Sequence, residues 1–149
     1  MGVGYTFQDI YDVLGSRDTS DDSLTTVALT AAYSATNRKI LPIGGMSKAV
    51  LDVSYTTGAA ETGMGLTIKV EFSPDRTNFY RAINDTTTNS ESVLTERNFT
   101  FAAADSATNY AFSLPIDIYN KYIRISVIET GVSTNYGTVY IGATLSGAK

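Results

Sequence analysis

The 149-residue chain contains no cysteine and no histidine. Lack of cysteine removes disulfides, thiolate nucleophiles and cysteine-ligated zinc or iron–sulfur sites. Lack of histidine removes the side chain whose ordinary pKa lies near neutrality, which is also the commonest general base. Ser-His-Asp and Cys-His arrangements are therefore excluded, and only paired carboxylates, lysine or an oxygen-ligated metal remain for catalysis. The sequence reads as a non-enzymatic protein with no cofactor.

Other scarcities narrow the class further. Tryptophan is absent, proline occurs three times, and charged residues make up 17% against 43% hydrophobic, a balance that suits a globular chain. Net charge is −4, and among eleven scattered basic residues only Arg38 and Lys39 are adjacent, so a nucleic-acid partner is not expected. No apolar run approaches the roughly 18 residues that span a bilayer. The opening Met1-Gly-Val-Gly-Tyr-Thr lacks the basic and apolar regions of a signal peptide, so no membrane partner is expected either. Gly2 and Thr6 fit the M-G-x-x-x-[ST] acylation pattern, which is short enough to arise by chance.

What is present begins with a helix signal. In residues 6–15, Phe7, Ile10, Tyr11 and Leu14 fall at i, i+3, i+4 and i+7, Thr6 and Asp9 can cap the start, and Gly15 can end it. So short a helix must pack on something. Its stripe either plugs one end of the domain's own core or docks on a neighbouring subunit. A polar loop follows with Asp18, Asp21 and Asp22, which could offer oxygen ligands to calcium but lack the D-x-D-x-D-G register and serve equally as turn formers.

Beyond that loop the period is two. Residues 25–33 alternate with Val27, Leu29, Ala31 and Tyr33 on one face, and 48–55 with Ala49, Leu51, Val53 and Tyr55. In 65–73, Leu66, Ile68, Val70 and Phe72 oppose Thr67, Lys69, Glu71 and Ser73, which predicts a strand with one wet face. Segments 78–83, 92–103 and 109–114 continue the pattern. The last two strands turn Ile123, Ile125 and Val127, then Val139, Ile141, Ala143 and Leu145, inward. Short strands between turn-rich loops predict an all-β domain, an antiparallel β-sandwich or jelly roll over 23–149, preceded by a short helix or arm over 1–22.

Tyrosine is the most suggestive surface residue. Tyr122 and Tyr140 fall opposite the aliphatic sets of their strands, and Tyr80 and Tyr136 lie beside strands. An outward tyrosine is a rigid apolar plate with a polar tip, suited to protein interfaces and to sugar stacking alike. The candidate partner-binding residues are therefore Phe7, Ile10, Tyr11 and Leu14 of the first segment, with Tyr80, Tyr136 and Tyr140.

Two stretches carry a resemblance. Phe72-Ser-Pro-Asp-Arg-Thr-Asn-Phe-Tyr80 resembles the F-S-x-D-G-x-x-W hairpin of many β-sandwich modules, with Arg76 where glycine is usual and Phe79 where tryptophan is usual. Lys121-Tyr-Ile-Arg-Ile-Ser-Val is similar to the K-Y-x-R-I-x-V strand that often follows, and Asn135-Tyr-Gly-Thr-Val-Tyr-Ile looks like the closing strand. These features occur together in tailed-bacteriophage virion structural proteins, capsid decoration (cement) proteins among them, and in discoidin-like carbohydrate-binding modules. The first resemblance implies a virion location after synthesis in the host cytoplasm. It further implies contacts with a major capsid protein or another virion protein, and a homo-oligomer, for which a trimer is a common arrangement. The second implies glycan binding, although such modules usually present tryptophan platforms.

Overall fold

The computed structural model describes residues 6–60, 63–81, 98–103, 105–132 and 134–148, with backbone alone at 6–9, 98 and 148. Its strands, in chain order, are β1 (Thr6–Leu14), β2 (Ser16–Arg17), β3 (Leu24–Thr25), β4 (Val27–Ala28), β5 (Arg38–Pro42), β6 (Lys48–Thr56), β7 (Gly65–Ser73), β8 (Tyr80–Arg81), β9 (Asn98–Ala102), β10 (Asn109–Asp117), β11 (Tyr122–Thr130) and β12 (Thr138–Ala148). A 3-10 turn spans Ala35–Asn37.

These strands form two five-stranded antiparallel sheets. Sheet one runs β1-β12-β6-β10, with β4 also pairing β12. Sheet two runs β5-β11-β7-β8, with β9 also pairing β7. Small β2 and β3 pair separately as a hairpin. From β9 onward each connection crosses from one sheet to the other, so the alternating sets meet in one core. Leu51, Val53, Ile141 and Leu145 of sheet one face Leu66, Ile68, Ile123, Ile125 and Val127 of sheet two, all buried. The expected all-β sandwich is what the chain forms, and the inward sets of residues 48–55, 65–73 and the last two strands are as their alternation predicts.

Three expectations need correction. The helix over 6–15 is instead β1, an edge strand that pairs with β12 from Thr6↔Ala148 to Leu14↔Ile141. The register shifts between Asp12 and Leu14, a bulge that leaves Val13 without a cross-strand partner. That extra residue explains the misleading spacing. Tyr11 stands opposite inward Ala143 and Leu14 opposite inward Ile141, three residues apart, as on a helix, only because the bulge inserts one. Tyr11 is half-buried against the core and Leu14 is buried, so this part of the stripe does cover the domain's own core. Residues 6–14 are thus stitched into sheet one rather than standing apart as an arm.

Residues 25–33 do not form one strand. The chain pairs briefly as β3 and β4, then Leu29 N–H donates to Gly137 O at 2.9 Å and Thr30 O accepts from Glu129 N–H at 3.0 Å. This carries the segment over the end of the sandwich onto sheet two. Asn37, buried, fixes the bend: its amide nitrogen donates to Thr30 Oγ1 and Ala32 O, and its oxygen accepts from Ser34 N–H.

Finally, the outer face of β7 is not wet. Thr67, Glu71 and Ser73 are buried, and Lys69 keeps only 16% of its side-chain surface. Residues 38–42 carried no strand expectation and form β5. Of the segments 78–83 and 92–103, Tyr80–Arg81 and Asn98–Ala102 are strands, and residues 82–97 lie outside the described residues.

Candidate interaction surface

The lid over sheet two is built from charge and aromatic rings. Glu71 projects outward from β7 between Lys69 and Arg124, with Lys69 Nζ 3.3 Å from Glu71 Oε1. Arg124 Nε donates to Glu71 Oε2, and its terminal nitrogen pairs with the same oxygen. Each cation then carries a ring: Lys69 Nζ lies 4.1 Å from the centre of the Tyr33 ring, and the Arg124 guanidinium 4.1 Å from that of Phe79. Phe79 and Arg124 are the W-position and R-position of the two quoted stretches, so those motifs encode one stacked contact.

The turn between β7 and β8 is held by Asp75. Its Oδ1 accepts from Thr77 N–H and Asn78 N–H, and its Oδ2 from Asn78 Nδ2. These bonds, the Asn78 backbone bond foremost, hold the Asp75 carboxyl far below its ordinary pKa. Arg76 follows with φ +68°, the left-handed conformation that glycine adopts freely.

Inside the core lies a carboxylate near the end of β11. Glu129 is 1% exposed; it accepts from the Tyr55 hydroxyl and, at 2.6 Å, from Gly137 N–H. Burial first, and then the bond to Glu129, pushes the Tyr55 pKa well above its ordinary value. A side chain at Gly137 would strike Thr56 O at 2.2 Å, so glycine there admits the approach that delivers its N–H. The signal was available: Glu129 continues the inward series Ile123, Ile125, Val127 by one more step of two.

Among the described residues, sheet one has a covered and a bare half on its outer face. Tyr140 is outward, as its alternation predicts, but only 4% exposed. Its ring lies across Gly142, where an added Cβ would come within 2.6 Å of the hydroxyl. The hydroxyl donates to Asp12 Oδ1 at 3.0 Å, and Arg17 of the β2–β3 hairpin sits 5.7 Å from the ring centre. Tyr140 is consequently not an open platform. Asp18 and Asp21, in the turn of that hairpin, accept from Ser20 and Ser23 N–H. Among the described residues no three acidic side chains come together as a metal site.

The bare half carries one apolar row. Ile10 stands opposite Thr144, Thr144 opposite Val50, and Val50 opposite Pro115, so the row crosses all four strands β1, β12, β6 and β10. Ile10 is 80% exposed and Val50 37%, and Pro115 is exposed. One neighbouring row is Asp12, Gly142, Asp52 and Ser113, with the Ser113 hydroxyl on Asp52 Oδ1 at 2.6 Å. The other holds Ser146, Lys48 and Asp117.

The remaining candidates lie elsewhere. Phe7 sits in the backbone of β1 opposite Gly147, and its side chain is outside the described residues. Tyr136 is half-buried in the loop before β12. Tyr80 is 62% exposed opposite Phe72, at the far sheet. The sequence reading missed Tyr119, 71% exposed and edge-on to Phe72 with ring centres 5.9 Å apart. Ile10 and Tyr80 therefore belong to two separate surfaces.

No protein-family model matches the chain, and no curated protein matches it. Among solved structures it is similar to a chain described as "Structure of infectious bursal disease virus Gt strain", with a TM-score of 0.38 and 11% identity. The match covers 98% of this chain and 31% of that one, so this chain spans about a third of the solved chain's length.

Proposed function

We propose that the protein is a non-enzymatic virion component that binds an assembled capsid through the bare half of sheet one, in the manner of a decoration protein. The observation that carries this reading is the row Ile10–Thr144–Val50–Pro115, exposed at Ile10, Val50 and Pro115, between two polar rows. An apolar strip with a polar rim is the usual anatomy of a protein-binding face. The tailed-phage resemblance of residues 72–80 and 121–127 supports the same reading. Stabilising a shell in this way is mass action, since many modest contacts favour only the assembled state.

The direct test is to produce the chain with the major capsid protein encoded in the same genome and to sediment it with shells and with unassembled subunits. Comigration with shells alone supports the proposal; remaining at the top of the gradient overturns it.

A second reading has its own observation. Tyr80 and Tyr119 flank Phe72 at one end of sheet two, both more than half exposed, an arrangement that suits stacking on a sugar. Glycan binding that Tyr80→Ala and Tyr119→Ala abolish, and that Ile10→Asp leaves intact, would favour this carbohydrate-binding alternative.

A further inference from the structure

Sheet edges pair with other strands unless something blocks them. Here β1 is interrupted by its bulge and by Asp12, and β5 carries Arg38, Lys39 and Pro42. Strand β10 has less protection. It is nine residues long, and its only charge is the terminal Asp117. One side of β10 pairs β6, and among the described residues no strand pairs the other.

Two hydrogen bonds reveal which groups that free side presents. Thr108 O accepts from Thr57 N–H at 3.0 Å, and Ile118 N–H donates to Ser47 O at 2.9 Å. The peptide groups just before and just after β10 thus point toward the β6 side. Because these directions alternate along a strand, Tyr110, Phe112, Leu114 and Ile116 point the same way. Asn109, Ala111, Ser113 and Asp117 then present N–H and C=O to the free side. Pro115 presents a carbonyl only, the placement proline takes on an edge.

Beside this edge the sandwich gapes. Phe99 and Phe101 of β9 and Phe112 and Leu114 of β10 border an apolar crevice of about 380 Å³ floored by Leu66 and Ile68. The Phe101 and Phe112 rings that line it stack 4.7 Å apart.

We propose that β10 pairs antiparallel with β10 of a second copy about a twofold axis at Ala111. In that register Ala111 exchanges N–H···O=C bonds with Ala111 of the second copy, and Asn109 does so with Ser113. Pro115 falls opposite Ala107, in the turn before the strand, where its missing N–H costs no ladder bond. A register centred on Ser113 would set Pro115 against Ala111 and lose a bond on each side, so Pro115 excludes that axis. On the inner face Tyr110 meets Phe112 of the second copy. Both crevices then lie beneath the joined sheet and are covered by apolar side chains of the other chain. A second copy fits this edge because the pairing is self-complementary and brings no charge to the axis. The inference does not depend on capsid binding.

The test uses the full chain with Ala111→Lys and Ala111→Glu. Ala111 is exposed, so neither substitution disturbs the core, while each sets like charges face to face at the axis. Sedimentation equilibrium is expected to give a dimer for the wild type, a monomer for each variant that still unfolds cooperatively but melts below the dimer, and a dimer for their equimolar mixture. A monomeric or trimeric wild type overturns the proposal, as do variants that stay dimeric or a mixture of folded variants that stays monomeric. Should a variant fold poorly, hydrogen exchange on the wild type decides. Slow exchange at the Ala111 and Ser113 amides, quickening on dilution, supports the pairing, and fast exchange at all concentrations overturns it.

Discussion

The Tyr55 hydroxyl donates to Glu129 across the core, tying β6 of one sheet to β11 of the other. With Gly137 N–H on its second oxygen, the buried Glu129 carboxylate has a donor for each oxygen. Removing one donor leaves that oxygen desolvated and unpaired. Tyr55→Phe should therefore cost about 1.5–3 kcal/mol in urea denaturation, within the range for bonds to charged groups.

The same contact predicts a pH dependence. Tyr55 has its pKa raised in the folded chain, by burial first and by Glu129 next. The unfolded chain releases this proton near pH 10 while the folded chain retains it. Stability from this group is thus complete below about pH 10 and falls as pH rises beyond it. Tyr140, raised by burial and by its bond to Asp12, adds to the same trend. Denaturant midpoints between pH 9 and pH 11 should decline less steeply in Tyr55→Phe than in the wild type; equal slopes would contradict the assignment.

At the surface of sheet two, Lys69→Asp should be strongly destabilising, although simple alternation puts this residue on a solvent face. It would set a second carboxylate beside buried Glu71 and remove the cation from the Tyr33 ring. A loss on the order of 3 kcal/mol is expected, as for breaking a buried ion pair. Ile125→Asp should prevent folding altogether. A change under 0.5 kcal/mol for Lys69→Asp, as at ordinary surface sites, would mean that the lid of Tyr33 and Phe79 does not form.

In the Asp75 turn the expected change is a gain. Arg76 holds a left-handed φ that costs an ordinary residue roughly 1 kcal/mol. Arg76→Gly should raise the urea midpoint by an amount equivalent to about 0.5 kcal/mol, once the added freedom of glycine in the unfolded chain is subtracted. Arg76→Val, β-branched at positive φ, should lower it.

Which parts of this architecture could be read from sequence follows from the range of the forces involved. The inward sets Leu66–Phe72 and Val139–Leu145 were legible because alternation is local to each strand and both sets face one core. Strand β1 was misread because a bulge at Val13 reproduces helical spacing, and only pairing with β12 reveals it. The cover over Lys69 arrives from Tyr33, and that over Arg124 from Phe79; no pattern within β7 records either contact. Tyr140 was correctly placed outward, yet its burial depends on Arg17 and Gly142, residues remote from its strand or lacking a side chain. Ile10 was singled out as part of a helical stripe, whereas its exposure belongs to the strand face away from the core.

If the bare half of sheet one binds a capsid, as proposed, charging its apolar row should abolish that binding. Ile10→Asp with Val50→Lys alters two exposed positions and should shift stability by no more than about 0.5 kcal/mol each. Cosedimentation with assembled shells should be saturable for the wild type and absent for the double variant, with both melting alike. Wild-type protein that fails to sediment with shells, or a folded double variant that sediments as well as the wild type, would contradict the account.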